Sequence, residues 1–110
     1  MSFENVYQNK FVIIRSYDSG VHFGKVVSYD STTRHVKLAD TRRLWKWRGF
    51  TLSSVANDGM YDDQAKLDQK VDEMVVANVI ELIPCTEKAI ENMTNYPVYN
   101  PYKENESTWE

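Results

Sequence analysis

Apolar and polar positions alternate tightly over roughly the first half of the chain and then lose that rhythm. Residues 10–17 (KFVIIRSY) and 21–29 (VHFGKVVSY) are rich in β-branched and aromatic side chains, which fit a pleated, half-buried surface. They predict two strands. Asp18, Ser19 and Gly20 form a turn cluster between them, and Asp30 to Thr33 form the next. Residues 34–39 alternate again, Asp40 and Thr41 make a short break, and residues 42–47 resume the strand pattern. Turns this closely spaced imply antiparallel hairpins in a strongly twisted sheet or small barrel. Gly24, in mid-strand, predicts a bulge or a close approach by another backbone or a ligand.

Residues 51–59 (TLSSVANDG) predict a helix of about two turns. Thr51 can cap its start, Leu52, Val55 and Ala56 share a face, and Gly59 supplies a left-handed stop. Residues 60–70 are polar and acidic without a clear period and read as an exposed loop. Residues 73–77 and 79–83 read as strands, or as one long strand bent near Asn78, and Pro84 ends that pairing. Thr86 and Glu87 open a short helix to about Met93. The expected class is α+β, a small twisted antiparallel sheet or barrel with one or two short helices. Residues 1–93 form one β-rich domain and residues 94–110 an extended tail, both aromatic and acidic.

Composition narrows the function classes. A chain of 110 residues has room for one domain, and 42% hydrophobic with 26% charged residues is ordinary for a globular protein. No apolar run is long enough for a bilayer span and no secretory leader is expected, so no membrane partner is. One cysteine excludes an internal disulfide and a cysteine-based zinc site, which suits a reducing, intracellular compartment. The net charge of −3 argues against a duplex nucleic-acid partner. That total hides an asymmetry. Residues 1–56 carry nine basic and four acidic side chains, residues 57–110 four basic and twelve acidic.

The basic excess concentrates in residues 34–48, six basic side chains against Asp40 alone, and its most informative segment is RRLWKWRG, residues 42–49. Strand alternation puts Arg43, Trp45 and Trp47 on one face and Arg42, Leu44, Lys46 and Arg48 on the other. Two indoles beside a guanidinium suit stacking on a base and pairing with a phosphate. The alternative is core packing of the indoles with Arg43 lying over a ring. Arg48 and Gly49 lead straight into the helix at Thr51, and a helix N-terminus with Thr51, Ser53 and Ser54 hydroxyls is a candidate anion site. Neither the P-loop nor the dinucleotide glycine pattern is present. His22 is the one weak catalytic candidate, as a general base or phosphate donor on the face opposite Val21 and Phe23, against a structural role for a lone strand histidine. No zinc-binding spacing occurs, so neither metal nor cofactor is assigned. Cys85 has no Cys or His partner nearby and reads as a buried, inert thiol. Asp62, Asp63, Asp72 and Glu73 read as exposed acidic surface.

Taken in order, V-H-F-G at 21–24, R-R-L-W-K-W-R-G at 42–49, T-L-S-S-V-A-N-D-G at 51–59 and I-E-L-I-P-C-T-E at 80–87 resemble a family of small proteins of tailed bacteriophages, T4-like phages included. The resemblance covers about residues 10–93. It implies a place among phage proteins that bind, or in some cases cleave, nucleotide signals of bacterial antiviral systems such as CBASS and Thoeris. It carries no residue role with it. The leading expectation is a phage protein in the cytoplasm of the infected host that sequesters a small anionic nucleotide of cyclic-nucleotide or ADP-ribose type. The first alternative is a hydrolase of such a signal, using His22. The second is an inhibitor that presents its acidic half to a host protein. Four aromatics beyond residue 94 (Tyr96, Tyr99, Tyr102 and Trp109) add an expectation of a homodimer or higher homo-oligomer, because aromatic side chains favour interface cores.

Overall fold

Val12, Ile13 and Ile14 are consecutive, and none has any exposed surface. Successive strand residues point to opposite faces, so this run demands a sheet covered on both sides. The computed structural model describes residues 6–47, 51–60 and 65–99. Its six strands are β1 (Phe11–Ser16), β2 (Gly20–Asp30), β3 (His35–Lys46), β4 (Lys66–Leu67), β5 (Val71–Val76) and β6 (Val79–Pro84). They pair antiparallel in the order β4-β3-β2-β1-β6, with β5 beside the first part of β3 and β4 beside its end.

β5 and β6 occupy opposite edges of this sheet, yet only Ala77 and Asn78 separate them. The sheet must therefore curl until its edges meet. Hydrogen bonds tie the seam: the Val79 N–H donates to the Arg34 carbonyl, the Tyr17 N–H to Asn78, and the Ser16 hydroxyl to Ala77 at 2.6 Å. Asn78 takes the corner at φ 51°, a left-handed value that asparagine tolerates. Inside the curl lie Val12, Ile14, Val26, Val36, Leu38, Val76 and Val79, drawn from five strands. The outer face, with Ile13, Val21, Phe23 and Leu44, is covered by helices α1 (Leu52–Asp58) and α2 (Glu87–Asn95) through Val55, Ala56, Ala89 and Met93. This is the small α+β, barrel-like build the turn spacing predicts.

The helix ends follow the sequence signals. Thr51 and Ser54 close a capping box on α1, and Gly59 ends it at φ 86°. A Cβ on Gly59 would lie 2.5 Å from the Asn92 side chain, which itself bonds both the N–H and the carbonyl of Met60. Only glycine fits there.

Three expectations need correction. β3 is not broken at Asp40 and Thr41; it continues through a bulge, with Asp40 at φ 50° and one residue more on β3 than on β2 between the pairs Lys25–Ala39 and Phe23–Arg42. Residues 60–70 are not simply an exposed loop, because Met60, Ala65 and Leu67 are buried and β4 lies among them. α2 runs past Met93 to Asn95, and the chain then lies along β4, with a parallel Leu67–Val98 bridge and the Tyr99 N–H donating to Leu67. The packed body thus reaches residue 99, and the rest of the expected tail, 100–110, lies outside the described residues, as do Asp62 and Asp63.

Gly24 sits opposite the β3 bulge, where a Cβ would meet the Thr41 Cβ at 3.0 Å and its backbone Cα at 3.2 Å. The expected close approach is of backbone. Gly24→Ala is expected to destabilise the fold by roughly 1–3 kcal/mol through overpacking, read from urea unfolding; an unchanged midpoint would show that β3 can move aside.

Candidate functional site

The bulge at Asp40 decides what each arginine does. Beyond it Arg42 falls on the helix-covered face, opposite Phe23, and is 3% exposed. Its guanidinium donates to the carbonyls of Asp68 (2.8 Å), Met93 (2.7 Å) and Tyr96 (2.7 Å). Burial lowers its pKa, and the nearby Asp68 carboxylate works the other way. Arg42 is therefore a strut between β3, α2 and the segment after α2. It is not the phosphate ligand expected from sequence.

Arg43 points to the other face. It lies opposite His22 in register, and its guanidinium carbon is 5.7 Å from the centre of a Trp45 ring. Its Nε is buried without a partner, and among the described residues no carboxylate forms an ion pair with it. Trp45 is 56% exposed, unusual for so large an apolar side chain. Lys46 follows, opposite Lys66, whose ammonium lies 4.7 Å over the Tyr99 ring. Cations and aromatic rings thus gather at this end of β3.

The expected common face of Arg43, Trp45 and Trp47 is split. Register slips again between Leu44 and Lys46 against β4, and Trp47 packs, partly buried, on the cluster that contains Leu44 and Leu67. One indole is core and one is surface. Arg48 and Gly49 lie outside the described residues. The expected anion site at the start of α1 is also corrected. That helix has only seven residues, Thr51 Oγ1 accepts the Ser54 N–H, and Ser54 Oγ accepts the Thr51 N–H, each at 3.1 Å. The hydroxyls close the helix on itself, and Ser53 is exposed to one side of that box.

His22 has no exposed surface, because its face of β2 lines the inside of the curl beside Ile14. Its Nε2 is 3.2 Å from Ser19 Oγ, and its Nδ1 is buried without a partner. Burial lowers its pKa first, the Arg43 charge lowers it further, and the Ser19 backbone, as a hydrogen-bond partner, acts the other way. In this arrangement the ring is closed off from solvent. Thr41, two residues before Arg43, also carries a buried hydroxyl without a partner. Sequence reading passed over it, although the glycine facing it was a signal. Cys85 is half-buried against the helix-side core, and burial pushes its thiol up to about 12. Among the described residues no group of His, Cys, Asp or Glu is placed to hold a metal ion. Nor, among them, is any helix long and apolar enough to cross a membrane.

Fold and site together define a small curled-sheet protein in which one end of β3 presents an exposed indole beside a guanidinium with no carboxylate partner among the described residues. The chain belongs to the family described as a domain of unknown function (DUF6948), whose model matches residues 9–93. No curated protein and no solved structure matches it.

Proposed function

We propose that the protein binds and sequesters a small anionic nucleotide at the Arg43–Trp45 end of β3. The observation that carries this reading is the exposed Trp45 ring lying against a guanidinium that, among the described residues, no carboxylate pairs with. An indole offers a stacking surface to any base, and a guanidinium offers paired donors to a phosphate. Lys46 adds positive charge beside them. A sequestering protein needs affinity and no general base, which agrees with the burial of His22. The phage resemblance makes cyclic dinucleotides and ADP-ribose derivatives the first ligands to test, acting in the cytoplasm of the infected bacterium.

The reading includes association of two or more copies, since a small domain has little surface with which to enclose a ligand. Titration calorimetry against a panel of such nucleotides tests it, followed by denaturation and recovery of the ligand. Binding with intact recovery is the expected result. Turnover would move the protein to the hydrolase class, and no binding at micromolar protein would remove the nucleotide reading. Light scattering at tens of micromolar is expected to give at least a dimer.

A further inference from the structure

Three buried polar atoms without partners lie on one face of β2 and β3: His22 Nδ1, Thr41 Oγ1 and Arg43 Nε. Their neighbourhood follows from register. His22 is directly opposite Arg43, Thr41 is two residues before Arg43, and Gly24, two residues after His22, lets Thr41 come close. Directly opposite residues on one face hold their Cβ atoms about 5 Å apart, so the imidazole and the guanidinium are neighbours.

The charges around His22 can be taken element by element. From β3, Arg43 acts on it. From β1, Ile14 is opposite, and the next residue, Arg15, is paired with Glu81 of β6 at 3.1 Å. From the β1–β2 turn, Ser19 bonds the ring, while the Asp18 carboxylate accepts from the Asn78 side chain. β6 places Leu82 beside Ile14. A positive charge and a titratable ring therefore share a buried corner, and among the described residues no unpaired carboxylate faces them. Either an anion at Arg43 or an uncharged imidazole can keep that corner stable.

We propose that anion binding at Arg43 is coupled to proton uptake by His22, so that the site holds phosphate-bearing ligands more tightly in mild acid. This deepens the nucleotide reading and rests on Arg43 being its anion-binding group. In the empty protein, protonating His22 sets two cations side by side. An anionic oxygen on Arg43 removes that opposition. By linkage, whatever makes the proton easier to bind is itself bound better when the proton is present. The direction is fixed: the free form favours neutral His22, the bound form tolerates imidazolium, and affinity rises as pH falls between the two midpoints. With Nδ1 protonated, the ring, the Thr41 hydroxyl and Arg43 Nε all become donors on the same face.

The test separates this proposal from the nucleotide reading by using sulfate, which does not titrate in this range. The ring protons of His22 and of exposed His35 are followed by NMR against pH, in sulfate and in chloride of equal ionic strength. The expected result is an upward move of the His22 midpoint in sulfate, with a smaller or no move for His35, and loss of the difference in Arg43→Gln. ADP-ribose, whose diphosphate is fully ionised here, is expected to bind at least about threefold tighter near pH 5.5 than near pH 7.5. Equal moves of the two histidines, or a His22 that stays neutral throughout in both salts, overturn the coupling. A sulfate-dependent His22 without any nucleotide binding leaves the coupling standing and removes the nucleotide. Nucleotide binding that Arg43→Gln abolishes but that shows no pH dependence does the reverse.

Discussion

Replacing Arg42 by methionine is expected to destabilise the protein by about 3–5 kcal/mol, among the largest effects of any single change in the chain. Methionine keeps an unbranched apolar stem of similar reach but removes the donors, leaving the carbonyls of Asp68, Met93 and Tyr96 without the group that satisfies them. Met93 is itself fully buried, so no water readily takes over its bond. Truncation shows the same dependence from the other side. A chain ending at Met93 keeps Arg42 but deprives it of the Tyr96 carbonyl and strips the Val98–Tyr99 pairing from β4. It is expected to unfold at markedly lower urea, whereas a chain ending at Tyr99 is expected to match the full-length protein. Equal stability of the two truncations would show that the segment after α2 is ornamental. For the same reason, any measure of what residues 100–110 add to self-association belongs on the chain ending at Tyr99.

The second large effect separates the two tryptophans. Trp45→Ala is expected to weaken nucleotide affinity by roughly ten- to a hundredfold, as the loss of a stacking surface worth roughly 1–3 kcal/mol. Stability should barely change, because more than half of this side chain faces solvent. Trp47→Ala is expected to do the opposite. It removes a partly buried ring from the cluster of Leu44 and Leu67 and lowers stability by about 2–3 kcal/mol, while the folded fraction binds normally. Arg43→Gln should follow Trp45 in affinity and leave unfolding nearly unchanged. Calorimetric titration paired with urea unfolding of the three variants reads all of this, and a Trp45→Ala protein of undiminished affinity would take the ligand away from this end of β3.

Local chemistry made much of this fold readable. Thr51 and Gly59 bracket α1, Thr86 opens α2, and closely spaced turns announce antiparallel pairing. Parity was less readable. A strand's faces can be assigned by counting only while no residue is inserted, and β3 slips against its neighbours at Asp40 and again near Trp45. Counting therefore grouped Trp47 with Trp45, which the second slip undoes, whereas it kept Arg42 on the face of Leu44, where the pairings with Phe23 and Val21 have them both. His22 was missed as a buried residue on different grounds. One apolar face was enough to explain β2, and nothing local says that the other face closes on β5 and β6. Leu67 and Ala65 were hidden by acidic neighbours that make their segment look solvated. Arg42 and Arg43 are adjacent and chemically identical, so only the bulge distinguishes strut from site.

The curl of the sheet also dictates when the protein can exist during its own synthesis. β1 leaves the ribosome early, but its outer neighbour β6 begins only at Val79, and the Tyr96 carbonyl that Arg42 requires is made later still. Contacts of such sequence separation put the chain among slower-folding topologies. Until those residues emerge, the Val12–Ile14 run stands as an open, apolar strand edge. Folding of the described body therefore waits for residue 99, and the interval before that residue is available is when the nascent chain is most exposed to aggregation or to a holdase.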